Sequence, residues 1–335
     1  MSVLPNDLAF YGCANMPEDD SSTVGGAVDT SVKVVFEDIA PTGNLQVVSS
    51  NSNDNAGGTN RTVTVTGRDA SGSLIAEAAT LNGLTPVAMV SNTSWERILK
   101  AVKSGATDGD VAVEEATAER TATAVGGAAQ TASEMAYITL DASANGSDDA
   151  YNGMVLRITV GTGIGQIRSI IDYIGATKRA YVSRDWATPP DGTSNFRVSQ
   201  GIVFDKAPNE IITTRRVFFG VAADVAGGSA RNFYNKIFIR NNHGSLTLTG
   251  AQLAETDPSG KLTFGLAGTL NDTATTTNRI TAPGGITFNS SIKNVANSQN
   301  HTSAASQGVW LNLTLAAGDA AQDTTYTLTE TGQST

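Results

Sequence analysis

The chain has 335 residues, a net charge of −10, 16% charged residues and 6% aromatics. That length sets a scale of about two or three domains, and the acidic balance without a basic stripe argues against a phosphate-backbone ligand. Two histidines and one cysteine leave little for acid–base chemistry or zinc ligation and exclude an intrachain disulfide.

Residues 1–30 read as an irregular N-terminal arm, punctuated by Pro5, Pro17, Glu18–Asp19–Asp20 and Gly25–Gly26. Met1 to Met16 lacks the charged-then-apolar pattern of a secretory signal, and no apolar run approaches the roughly 20 residues of a membrane span. A soluble protein made in a reducing cytosol is expected, with no membrane partner. Residues 31–120 form the first β unit. Val32, Val34 and Phe36 alternate with Lys33, Val35 and Glu37, the period of a half-buried strand. Ala40–Pro41–Thr42–Gly43 is a turn before a strand at Leu45–Val48. Asn51–Asn60 is a polar loop. Val63 and Val65 alternate with threonines, and Asp69–Ala70–Ser71–Gly72 turns the chain into Leu74–Leu81. The spacing of Trp95, Ile98, Leu99 and Val102 fits a helix, that of Trp95, Arg97 and Leu99 a strand.

The Ala/Thr/Gly tract Ala118–Ala132 reads as a linker, set at residues 121–134. Residues 135–200 form a hairpin- or barrel-like unit with strands at Tyr137–Leu140, Met154–Val160, Gln166–Ile174 and Arg179–Arg184, and a strong turn at Pro189–Pro190–Asp191–Gly192. Residues 201–335 form a third, sandwich-like unit with strands at Lys236–Arg240, Leu246–Leu248, Lys261–Leu266, Ile286–Asn289, Val309–Leu315 and Tyr326–Thr329, and a turn at Asp257–Pro258–Ser259–Gly260. The expected fold class is all-β: two or three sandwich- or barrel-like domains behind the arm.

Each chemical motif has a plainer reading. Gly161, Gly163 and Gly165 lack dinucleotide-loop spacing and precede a strand, so they mark a hairpin. Asn51, Asn53 and Asn55 lack the terminal glutamate of a calcium loop. Asp19–Asp20 and Asp148–Asp149 read as solvated loops, with cation binding or basic partner residues as the alternative. His243 and His301 read as loop residues, Cys13 as a free thiol. Arg215–Arg216 and Lys178–Arg179 are isolated basic pairs. The Asn-x-Ser/Thr triplets at Asn60, Asn145, Asn271 and Asn312 mark polar turns. Trp95, Trp186 and Trp310 are candidate anchors at a partner surface; Trp310 reads rather as core and Trp186 as packing at a strand end. No catalytic, cofactor-binding or metal-binding residue is assigned.

Several stretches carry a resemblance. Gly163-Ile-Gly-Gln-Ile-Arg-Ser-Ile-Ile-Asp-Tyr-Ile-Gly-Ala-Thr177, followed by Ala180-Tyr-Val-Ser-Arg-Asp-Trp186 and Pro190-Asp-Gly-Thr-Ser194, resembles a hairpin module of tailed-bacteriophage structural proteins. Phe233-Tyr-Asn-Lys-Ile-Phe-Ile-Arg-Asn-Asn-His-Gly-Ser-Leu-Thr-Leu248 and Gly308-Val-Trp-Leu-Asn-Leu-Thr-Leu-Ala-Ala-Gly318 are similar to their C-terminal parts. Thr62-Val-Thr-Val-Thr-Gly-Arg-Asp-Ala-Ser-Gly72, with Leu81-Asn-Gly83 and Trp95-Glu-Arg-Ile-Leu99, has the same style. The resemblance covers most of residues 30–320 and implies a virion structural protein. The family carries no catalytic residues. Within it, the acidic, turn-rich, base-poor chain is closest in character to a capsid decoration (cement) protein. Such a protein is expected on the capsid exterior, bound to the major capsid protein and to copies of itself, as a trimer. A tail, baseplate or fibre component and a carbohydrate-binding module are the alternatives.

Overall fold

A computed structural model of the chain describes residues 2–35, 39, 43–206, 210–218, 230–319 and 326–335. Phe36, Glu37 and the Ala40–Thr42 part of the expected turn lie outside the described residues. The fold is all-β, with several separate sheets. Among the described residues helix is confined to a 3-10 turn at Pro5–Asp7 and a turn at Ala296–Gln299, which runs through left-handed backbone at Asn297, Ser298 and Gln299. Two compact units divide the chain, Met1–Val3 with Asp7–Phe36 and Arg216–Thr335, and Leu4–Asn6 with Glu37–Arg215.

The first unit is a sandwich. One of its sheets runs Leu262–Leu270, Ser306–Leu315, Arg231–Asn241, Leu8–Asn15, Val24–Val34. The facing sheet centres on Leu248–Thr256, flanked by Thr327–Ser334, Lys293–Asn294 and Asn300–His301. Ile237, Ile239, Phe264, Val309 and Leu311 from one sheet pack with Leu248, Ala251 and Leu253 from the other. The expected irregular arm is therefore strand. Cys13, Tyr11 and Val24 are buried in it, and pairing with Arg231–Asn241 orders the segment. That pairing is non-local, so local composition does not reveal it. The expected strand Ile286–Asn289 makes a single bridge, Asn289 to Phe264.

In the second unit, one sheet orders Thr213–Arg215, Trp95–Lys103, Thr62–Asp69 and Leu74–Thr80, and another orders Gly201–Phe204, Val111–Glu115, Leu45–Ser49 and Val87–Ala88. The Trp95 segment is thus a strand, and Trp95 is fully buried. Strands Gly201–Phe204 and Thr213–Arg215 join this unit rather than the C-terminal one.

A third sheet in the same unit has the order Gly126–Ala128, Tyr137–Thr139, Arg179–Val182, Ile167–Ile174, Val155–Val160, Asn195–Ser199, Arg120–Thr123. Its two end segments are continuous in the chain. Ala124 N donates to Ser194 O at 2.8 Å and Val125 N to Thr139 O at 2.9 Å, so the stretch 120–128 pairs on both sides. The seven segments therefore close as a six-stranded antiparallel barrel. The expected linker supplies the closing strand. Small residues allow this: Ala124 lies inside with Ile138, Leu156, Ile158, Ile170, Tyr173, Phe196 and Val198.

The Gly161–Gly165 run connects two barrel strands as a tight hairpin, with φ of +82°, +79° and +88° at Gly161, Gly163 and Gly165. A Cβ on Gly161 would sit 2.1 Å from Thr193 O. Gly161→Ala is therefore expected to cost more than about 1 kcal/mol. Urea denaturation checks this, and an unchanged midpoint would contradict it.

Turns, and the irregularity of Val24–Val34 at Asp29, use one recurring device. At Asp29, Asp69, Asp191 and Asp257 the carboxylate Oδ1 accepts both the backbone N–H and the hydroxyl of the Ser or Thr two residues on, at 2.6–3.0 Å. Asp19 does the same with Ser21.

Candidate functional site

The residues singled out from sequence do not converge. His243 Nδ1 accepts the backbone N–H groups of Ser245 and Leu246 and shapes its own turn. His301 is fully buried rather than looped out. Its ring bridges Glu330 Oε1 at 2.7 Å and Ala305 O at 3.1 Å, pinning Thr327–Ser334. The Cys13 thiol is buried and donates to Asn15 O. Asp20 is paired within the chain, to Arg279 at 2.5 Å and Arg231 at 3.6 Å. Asp148 accepts the Gly175 N–H, and Asp149 accepts from Asn152. The Asn51–Asn60 loop wraps the buried Asp54, which accepts from Ser49, Asp108 N and Gly109 N. Trp186 donates to Tyr137 O at the end of a barrel strand, and Trp310 is core. Among the described residues no group of three or more His, Cys, Asp or Glu is placed to hold a metal ion.

The most constrained polar arrangement was not flagged by any motif. It lies where the barrel meets the strand Val111–Glu115. Val155 and Ile167 on the barrel wall pack there against Val48, Ala112 and Val203. Asp110 and Glu114 flank Ala112 at strand spacing, so all three share one face. Each carboxylate holds two barrel arginines.

Arg157 and Arg197 stand directly opposite each other on neighbouring strands. Like charges in that register repel. Glu114 Oε1 sits between them, 2.9 Å from Arg157 Nη2 and 3.5 Å from Arg197 Nε, and also accepts from Gln46 at 2.7 Å. Arg197 Nη2 donates onward to Glu115 O and Ala116 O, both at 2.7 Å. Glu114 is fully buried.

Asp110 Oδ2 accepts from Arg168 at 3.1 Å and from Arg184, while Oδ1 accepts the Lys206 N–H at 2.9 Å. Arg168 is fixed further by Arg184 O and Asp185 O, and stacks on Trp186 at 5.2 Å. Burial raises the Asp110 carboxyl above the ordinary carboxylate range, against the pull of Arg184 and Arg168. Burial, with Arg184 beside it, lowers Arg168 to about 10.

This arrangement fixes one module to another: Glu114 Oε1 and both Asp110 oxygens are engaged by it, while Glu114 Oε2 is buried without a hydrogen-bond partner. A sequence signal existed in Asp-Val-Ala-Val-Glu (110–114) facing Leu-Arg-Ile (156–158) and Phe-Arg-Val (196–198). Charges inside otherwise apolar strands imply buried partners.

The turn carboxylates predict an acid response. Asp19 is lowered to about 2 by the Ser21 N–H and hydroxyl and by Ser22. Asp69 is lowered chiefly by the Ser71 hydroxyl and Asp191 by the Thr193 hydroxyl. A folded value below the unfolded one contributes stability above about pH 4, lost as pH falls through the folded value. Asp110, Glu115 and Asp172, raised by burial, act with the opposite sign and at higher pH. The thermal midpoint should therefore drop steeply only below about pH 4. Asp69→Ala/Asp191→Ala should flatten that drop in a pH series; an equal drop in both proteins would contradict it.

Comparison of the chain with protein-family models, with curated proteins and with solved structures gives no match.

Proposed function

We propose that this chain is a virion structural protein of a tailed bacteriophage, a head decoration protein that binds the assembled capsid and stabilises it. The observation that carries the reading is the barrel joint. Two buried carboxylates and four arginines are spent on fixing one β module against another, a use of charge that serves rigidity. The resemblance of stretches within residues 163–194, and of residues 233–248 and 308–318, to phage structural proteins supports the same reading.

The physical logic is mass action. A protein that binds only the assembled shell stabilises that shell, and many copies on one particle act together through avidity. Its partners are then the major capsid protein and copies of itself, without nucleic acid or membrane. No helix among the described residues is long and apolar enough to cross a membrane. A carbohydrate-binding module has less support, because it stacks sugars on exposed aromatic faces, and every described aromatic side chain is buried or half-buried.

Negative-stain imaging of virions labelled with an antibody to this chain tests the proposal. Label over the head is expected. Label confined to the tail or baseplate would move the chain to the alternative virion part, and unlabelled particles would remove it from the virion.

A further inference from the structure

We infer that one end of the barrel is the surface through which copies of this chain associate. The inference rests on the self-association in the proposed reading and names its site. Four loops meet at that end. Gln166 Nε2 donates to Thr188 O at 2.7 Å, and Thr162 Oγ1 to Asp191 at 2.8 Å. A Cβ on Gly165 would lie 2.9 Å from Leu84, and one on Gly127 3.0 Å from Pro190. Segments 82–86, 124–127, 160–166 and 187–194 are thus one contiguous surface.

Two independent properties mark it. Leu84, Val125, Val160 and Ile164 are 38%, 66%, 52% and 57% exposed, four of the nine exposed large hydrophobics among the described residues. The same segments contain one charged residue, Asp191, where the chain-wide 16% would place about four. Both oxygens of Asp191 are engaged within the patch, Oδ1 by Thr193 of its own turn and Oδ2 by Thr162 of the neighbouring loop. Apolar area with charge depleted at its centre is the composition of an interface core.

Charge decides the occupant. The chain carries −10, so two copies repel each other on average, and least through a surface that carries no free charge. The opposite end of the barrel shows the contrast, with Asp148, Asp149 and Asp172 close enough to raise the Asp172 carboxyl beyond the effect of its burial. At the uncharged end a second copy brings the same apolar surface and no opposing charge, the self-complementarity a symmetric oligomer requires.

Analytical ultracentrifugation of the purified full chain tests this without any capsid, so the result is separate from the fate of the virion reading. The wild type is expected to be a concentration-dependent oligomer. Ile164→Asp/Val125→Asp should weaken association roughly tenfold or more, and so should Val160→Lys alone, each with unchanged far-UV circular dichroism. Ile171→Asp, on the barrel wall outside the patch and 38% exposed, should associate like wild type. A wild type that is monomeric at every concentration, or folded patch variants that associate as tightly as wild type, would overturn the inference.

Discussion

Glu114→Ala is expected to destabilise the Glu37–Arg215 unit by about 3–5 kcal/mol, the usual cost of removing one partner from a buried ion cluster. The carboxylate is fully buried and separates Arg157 from Arg197, which face each other across two strands. Without it the two guanidinium groups lose the carboxylate that separates them and repel at close range, with Arg197 held by its bonds to Glu115 O and Ala116 O. Gln46 also loses its acceptor. Barrel closure does not depend on Glu114, because the pairing of 120–128 with Asn195–Ser199 and Tyr137–Thr139 is backbone. The loss should therefore fall on docking. Proteolysis at the chain crossings near Ala116–Ala118 and Gln200 should accelerate, while the barrel core keeps its amide protection. Replacing Glu114, Arg157 and Arg197 together by leucine should recover most of the stability, since apolar substitution of a whole buried cluster is often neutral or favourable. Urea denaturation with hydrogen exchange reads both. A Glu114→Ala protein within about 0.5 kcal/mol of wild type would show that the joint is not what holds the modules.

The second large effect belongs to the sandwich. Lys236 is fully buried on the sheet face opposite the main core, opposite Trp310 in the neighbouring strand. Its ammonium donates to Gly26 O at 3.0 Å, Asp272 O at 3.2 Å, Ala274 O at 3.1 Å and Asp272 Oδ1 at 2.5 Å, and lies 4.9 Å from the Phe238 ring and 5.5 Å from that of Trp310. It ties the 272–274 loop to Val24–Val34 and Arg231–Asn241. Lys236→Ala removes the cation from a carboxylate and three carbonyls, of which Ala274 O keeps the Gly26 N–H and the Asp272 carboxylate keeps the Ala274 N–H, and leaves a cavity between the rings. A loss of about 3–5 kcal/mol in the sandwich transition is expected, with the other unit's transition unmoved. Lys236→Met should restore the packing yet recover only part, because the acceptors stay unmet. Full recovery in Lys236→Met would show that the charge contributes nothing.

What sequence reasoning could reach follows from the range of the interactions. Strands at 45–48, 62–66 and 155–174 were legible because alternation and Asp-x-Ser turns are local. The arm and the linker were not. Residues 120–128 hold one bulky apolar side chain, Val125, and residues 8–15 set Leu8, Phe10 and Tyr11 among the Pro and Gly signals of an irregular segment; partners far along the chain make both of them strands. The same limit hid the joint. Arg157 and Arg197 are forty residues apart, and only barrel closure makes them neighbours. Asp20 shows the converse, since an acidic loop that reads as solvated is paired to Arg279 once the sandwich forms.

The central claim, that this chain strengthens an assembled phage head, is tested most directly by the temperature at which virions release their DNA. Particles made without the chain should release it at a lower temperature than complete particles, and adding the purified protein back should restore the difference. Identical release temperatures in all three preparations would contradict the account.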